Sequence, residues 1–192
     1  MLSGQHIYLG PLTSEALPLL HAWINDREQV LFNAAYKPVS DGAHRQWFEA
    51  ISKREDVRIF TVRMLQCDKL IGSCQLRHID PIHRSAELQI RIGDIDERDH
   101  GYGTEALHLL LDFAFRDMNL HRVCVRVFSH NARALRAYEK VGFVKEGLLR
   151  QAAHIDGRYV DIVVMSVLRS EHCPNVAKES PHPDSNLRDD LS

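Results

Sequence analysis

Long apolar runs are missing from this sequence, and no stretch approaches the ~20 residues that a membrane-spanning helix requires. An excess of one charge is missing too. Lysine and arginine (24) nearly balance aspartate and glutamate (26), and a net charge of −2 carries no general attraction to nucleic acid or to an anionic membrane. Cysteine is sparse: Cys67, Cys74, Cys124 and Cys173 form no Cys-x-x-Cys pair, and their scatter suits a reducing compartment. The twelve histidines include no His-Glu-x-x-His and no tight Cys/His cluster, so no metal site is expected. Residues Met1 to His6 hold neither a basic patch nor an apolar signal core. These absences lead to the expectation of a cytoplasmic protein with no nucleic-acid or membrane partner.

What is present is an ordinary globular composition, 44% hydrophobic and 26% charged over 192 residues, enough for one domain with a proper core. After Arg169 the chain turns to Ser, Asp, Asn and Pro with few apolar residues. Residues 1–169 are therefore expected to fold as one domain, and 170–192 to form a polar, disordered tail. Within the domain, His6 to Leu9 reads as a strand closed by Gly10-Pro11. A helix capped by Thr13 or Ser14 runs to about Asp26, and a second begins at Ser40 or Asp41. Val57 to Arg63 and Leu70 to Leu76 form a hairpin, followed through Asp80-Pro81 by a strand from Glu87 to Ile92. A helix from about Thr104 to Met118, a strand from Arg122 to Phe128 and a helix from Asn131 to Val141 come next. Phe143 to Leu149 and Tyr159 to Leu168 are the last strand pair, turning at Asp156-Gly157. The order predicts an α/β (α+β) fold, a mixed sheet with helices on both faces.

One stretch carries chemistry. Arg98-Asp99-His100-Gly101-Tyr102-Gly103-Thr104 lies between an alternating strand and an amphipathic helix. The first turn of a helix has unpaired N–H groups and partial positive charge, and Gly101 and Gly103 let a ligand approach the backbone. Arg98 adds a fixed charge, so the pattern points to a pyrophosphate. No lysine follows either glycine, which argues against a Walker loop and ATP. Gly-x-Gly-x-x-Ala, ending at Ala106, is a permitted dinucleotide variant. The acidic ribose partner it needs is absent from Asn119-Leu120-His121-Arg122.

The loop, together with several motifs C-terminal to it, resembles the GCN5-related N-acetyltransferases. Those motifs are Asn131-Ala132-Arg133-Ala134, Tyr138-Glu139-Lys140-Val141-Gly142-Phe143, Glu146-Gly147, Arg150 and Asp156-Gly157-Arg158-Tyr159-Val160-Asp161. In that order they look like the RimJ/RimL-type branch, which also holds polyamine and amino-sugar acetyltransferases. The resemblance covers roughly residues 4–169 and implies the GNAT fold. It also implies acetyl-CoA as cosubstrate, without a metal, and acetyl transfer to a primary amine. The acceptor stays open among a polyamine, an amino sugar, an aminoglycoside and a protein N-terminus. The alternative is a non-catalytic CoA-binding regulatory module, and a homodimer is plausible.

The resemblance further implies residue roles. Backbone groups of Ile90 and Ile92, the loop residues Arg98, Asp99, His100, Gly101, Tyr102, Gly103 and Thr104, and Asn131 would hold the cofactor. Glu87 is the candidate base for the ammonium proton, and Tyr138 the candidate acid for the leaving sulfur, its phenol being protonated at neutral pH. A strand bulge near Ile90 to Ile92 would free a backbone N–H for the carbonyl oxygen. Asp99 and His100 replace a Gly and a Lys common in relatives. There Asp99 would repel phosphate unless it points away, and a protonated His100 would compensate in part. Trp23, Phe32, Tyr36, Trp47 and Phe48 are candidates for the acceptor wall, with core the favoured reading for Trp47 and Phe48.

Overall fold

The described residues are 1–172 of a computed structural model, and they form one sheet and five α-helices. The strands are β1 (Leu2–Ser3), β2 (Ile7–Pro11), β3 (Arg58–Met64), β4 (Leu70–Asp80), β5 (Ser85–Ile92), β6 (Arg122–Phe128), β7 (Val144–Ile155) and β8 (Arg158–Leu168). The helices are α1 (Leu17–Asn25), α2 (Arg27–Val30), α3 (Asp41–Ile51), α4 (Tyr102–Asp112) and α5 (Ala132–Lys140). Strand order is β1-β2-β3-β4-β5-β6-β8-β7, and only β5–β6 is a parallel pair. No helix among the described residues is long and apolar enough to cross a membrane.

Alternation along the strands builds two apolar layers. Ala86 and Leu88 of β5 face a large core with Leu107, Leu110 and Leu111 of α4 and Val123 and Val125 of β6. On the other face a smaller cluster joins α1 to the sheet through Ala16, Leu20, Trp23 and Leu70. The mixed sheet with helices on both faces is thus as expected.

Several boundaries differ from the sequence reading. Asp26 ends α1 in an extended conformation and then caps α2, accepting the Gln29 N–H at 3.2 Å. Four residues are too short to show a helical period, so α2 leaves no sequence signal. The helix after the glycine loop starts at Tyr102 and ends in a π-turn, Phe113–Asp117. β7 runs six residues past Leu149 because two register irregularities absorb the extra length. The folded part also reaches beyond Arg169: His172 is buried against α4, bonding Asp112 at 2.7 Å. The remainder of the expected tail, residues 173–192, lies outside the described residues.

Two contacts lock the sheet, and each has a measurable consequence. Arg122 of β6 reaches across β8, donating to Ser166 at 2.7 Å and holding Glu146 of β7 at 2.7 and 2.5 Å. That guanidinium pulls the Glu146 carboxyl from its ordinary 4.5 to about 2. A lowered folded-state value means the stabilisation is present above pH 4.5 and fades as pH falls through about 2. Glu146→Gln should therefore cost about 1 kcal/mol at pH 7, the pair being partly solvent-screened, and nothing below pH 2, as read by urea unfolding. Elsewhere, a Cβ on Gly93 would run into the Trp23 ring. Gly93→Ala should displace that ring at a cost of about 1–3 kcal/mol and shift the tryptophan emission.

Candidate active site

The site forms where β5 and β6 part. Their parallel pairing covers Ser85↔Arg122, Ala86↔Val123 and Glu87↔Cys124 and goes no further. Against β4, by contrast, β5 keeps continuous register from Arg77↔Glu87 to Gly72↔Ile92. The Gly93 N–H bonds the Ile71 carbonyl at 2.9 Å. Alternation then turns the backbone groups of Ile92 and Ile90 away from β4 and into the gap. The Ile92 carbonyl is indeed met there by Arg98 Nε at 3.0 Å. The bulge expected near Ile90 to Ile92 is not the device. The irregularity in this pair falls between Arg77 and Asp80, and divergence of the strands frees the edge.

A cavity of about 160 Å³ fills the gap. Its floor is β5 at Ile90 and Ile92, and its rim the start of α4. Gly101 caps that helix at φ +87°, a conformation that side chains disfavour, and leaves the first-turn N–H groups facing the cavity. Glu105 secures the helix from behind, accepting the N–H groups of Gln5 and His6 at 2.6 and 2.9 Å. Arg98 lines the cavity, bonded to Ile92 and to the Gln29 side-chain carbonyl. Burial first, then Arg133, pulls its pKa below the usual guanidinium value. Two guanidiniums beside a helix N-terminus suit an anion.

The loop residues divide. Arg98, Asp99, Gly101, Gly103 and Thr104 line the cavity, whereas His100 and Tyr102 do not. His100 instead stacks on Tyr102, their ring centroids 5.9 Å apart. Asp99 takes φ +63°, and its largely exposed carboxylate lies 3.8 Å from Arg133, so its charge is partly offset. Arg133 carries no sequence signal of its own, though it sits two residues after Asn131 in the same motif. Gln29, Phe32 and Asn33 also line this cavity, and no sequence pattern marks them for it.

Asn131 does two things. Its side-chain oxygen caps α5 by accepting the Ala134 N–H at 3.1 Å, while its amide donates to the Phe32 carbonyl at 3.1 Å. Tyr138, on the buried side of α5, also lines the cavity. Burial, and then the charge of Glu87, push its phenol well above the usual tyrosine value, so it stays protonated and is available as a hydrogen-bond donor. Glu87 itself lines neither this cavity nor its neighbour. Its carboxylate is held by Arg77 at 2.6 Å, with His78 at 3.3 Å.

A second cavity of about 450 Å³ adjoins the first, sharing Asn33, Ile90 and Arg91. Ser73, Gln75, Gln89 and Arg91 of β4 and β5 face it, with Trp23 of α1 and Trp47 of α3 as walls. Trp47 is thus a half-buried cavity wall rather than core, stacked on His44 at 5.2 Å. Helical spacing puts it on the buried face of α3 but gives no sign that the face is hollow there. Of the other residues read as candidates for the acceptor wall, Trp23 lines the second cavity, Phe32 lines the first instead, and Tyr36 lines neither.

This mixed sheet, parted beside a glycine-capped helix, is shared in fold with acetyltransferases of the GNAT class. The chain belongs to the GNAT acetyltransferase family: residues 6–144 match the Acetyltransferase (GNAT) domain. A crystal structure of spermidine N-acetyltransferase from Vibrio cholerae, in complex with CoA and spermine, superposes with a TM-score of 0.80 at 31% identity. That match covers 86% of this chain and 96% of the other. Among curated proteins, the spermidine N(1)-acetyltransferase of Vibrio cholerae is 39% identical over 103 residues, 54% of this chain and 59% of that enzyme. The probable N-acetyltransferase YjcK of Bacillus subtilis is 32% identical over 182 residues, 89% of this chain and 98% of that one. The GNAT fold and acetyl-CoA as cosubstrate hold as expected.

The double duty of Asn131 has a structural consequence. Asn131→Ala should lose about 1–2 kcal/mol through the missing cap and the freed Phe32–Asn33 segment. Asn131→Ser, which keeps a cap acceptor, should recover part of that loss in thermal unfolding.

Proposed function

We propose that this protein transfers the acetyl group of acetyl-CoA to a primary amine by direct attack of the amine on the thioester. The observation that supports this most is the meeting of the two cavities at Ile90. The first offers an anion site, a free strand edge and a protonated phenol, and the second has room for an acceptor. Acetyl-CoA supplies the activated acetyl group. In this reading Arg98, Arg133 and the first-turn N–H groups of α4 hold its pyrophosphate. Gly101 and Gly103 keep that approach open, with Asp99 and Thr104 at the rim and His100 and Tyr102 supporting the loop from outside. The backbone edges of Ile90 and Ile92 align the pantetheine arm, together with what remains of the hydrogen-bonding capacity of Asn131.

Two side chains handle the protons. Tyr138 donates to the departing sulfur, because a phenol kept protonated by burial is a ready hydrogen-bond donor to a developing thiolate. Glu87 takes the ammonium proton through water, since its carboxylate stands outside both cavities. The assignment to the RimJ/RimL-like branch, the cytoplasmic address and a homodimeric state belong to the same proposal.

Thiol release from acetyl-CoA over a panel of primary amines tests the reading. Tyr138→Phe should lower kcat about 10²-fold while the KM for acetyl-CoA moves by less than about threefold. An unchanged kcat would remove Tyr138 from the chemistry. Glu87→Gln should flatten the acidic limb of the kcat/KM profile, and a limb that persists would assign the base elsewhere. Arg133→Ala should raise the Kd for CoA about tenfold by calorimetry. CoA binding without acetylation of any amine would favour the non-catalytic module.

A further inference from the structure

The second cavity is cationic. Arg91 and Lys37 line it, and no Asp or Glu does among the described residues. Two acids at the helix ends beside it already have partners. Asp26 is held by the Gln29 side chain at 2.6 Å, and Asp41 by Arg45 at 2.8 Å. His44, in the wall, is kept neutral by burial and by the neighbouring His21. The remaining polar lining, Ser73, Gln75, Gln89 and Asn33, is uncharged.

Of the two cations, Lys37 is exposed to solvent and Arg91 is partly buried. It has five N–H donors and makes one hydrogen bond, a long one of 3.4 Å to the Trp23 carbonyl. Among the described residues no carboxylate lies within 4.0 Å of it. Burial is the main force lowering its pKa, and repulsion from Arg98 adds to it. The Asp26 charge offsets these two in part without a direct contact, so Arg91 is a partly desolvated cation with no carboxylate bonded to it, and an arriving anion would supply one. In the acetyl-transfer reading the pyrophosphate takes Arg98 and Arg133, which line only the first cavity, whereas Arg91 lines both and is the cation shared with the second. Its place fits: Arg91 follows Ile90, and both line the junction of the two cavities.

We propose that the acceptor is a primary amine whose own body carries an anion, a carboxylate or a phosphate, and that Arg91 is the side chain that holds it. Polycations are disfavoured by the same arrangement, in contrast to the relatives named for spermidine. The inference rests on the acetyl-transfer reading given above and narrows its substrate.

The test uses the full chain, saturating acetyl-CoA and one amine in three charge states: 6-aminohexanoate, hexylamine and hexane-1,6-diamine. Glucosamine 6-phosphate against glucosamine forms a phosphate arm, and spermidine is included. The expected kcat/KM falls from the anion-bearing to the neutral to the dicationic amine, by about tenfold or more from first to last. Arg91→Gln should erase the order, the anion-bearing amine losing about tenfold more than hexylamine. Arg91→Lys, which keeps the charge, should retain the order. A gain confined to the sugar phosphate identifies the anion as phosphate, and a gain confined to 6-aminohexanoate as carboxylate. Spermidine or the diamine ranking first, or an order unchanged in Arg91→Gln, overturns the inference and leaves acetyl transfer standing.

The chain's two tryptophans both line this cavity, so binding has a readout that needs no turnover. If no amine is acetylated, the catalytic reading fails. Tryptophan quenching by 6-aminohexanoate in the CoA-loaded protein then decides the anion site alone. Quenching lost in Arg91→Gln upholds the site, and none in the unaltered protein overturns it.

Discussion

Beyond Glu87 and Cys124, β5 and β6 lose each other, and nearly everything functional in this fold depends on that parting. A parallel pair inside a sheet normally satisfies both edges, so an open edge in mid-sheet leaves backbone groups that water or a ligand must satisfy. Continuous pairing with β4 on the other side keeps β5 straight while β6 diverges. Arg98 partly closes the gap through Ile92. Glu105 fixes α4 to the N-terminal strand, so the helix that opens at Gly101 stays aimed at the cavity. From the other side α5 brings Tyr138 and Asn131. The cavity is a consequence of strand geometry, and the side chains decorate it.

Much of this is legible in the sequence, for identifiable reasons. Period-two and helical patterns are local, and so the strand from Glu87 and the α4 helix are readable within a few residues at each end. Gly101 and Gly103 announce backbone approach because few other reasons place two glycines before an apolar helix. Asn131 and Tyr138 are readable through the resemblance of two neighbouring motifs to the acetyltransferase family. Sequence reading fails where tertiary contacts decide. Gln29, Phe32 and Asn33 reach the cavity only because Asp26 breaks α1 and starts a four-residue α2. Trp47 obeys the buried-face pattern of α3, and no local rule separates a filled face from a hollow one. The strand face of Glu87 can be anticipated, but not that Arg77 opposite it in register holds its carboxylate.

Electrostatics sorts the two cavities. The first gathers cations around a helix N-terminus, as a bound pyrophosphate requires. The lining of the second holds cations and no acid among the described residues, its floor of Gln75 and Gln89 is self-paired at 2.5 Å, and Arg91 is its partly buried cation. A shared fold with spermidine acetyltransferases therefore does not settle the acceptor, and in the proposed reading the walls of α1 and α3 select the amine.

The central claim is that the β5 edge is open for the cosubstrate. Hydrogen–deuterium exchange of the segment from Leu88 to Gly93, with and without acetyl-CoA, tests it most directly. The account predicts that the amides facing β4 are protected in both states, whereas those of Ile90 and Ile92 exchange quickly in the free protein and slow when acetyl-CoA is added. Full protection of Ile90 and Ile92 before acetyl-CoA is added, or exchange that acetyl-CoA leaves unchanged, would contradict it.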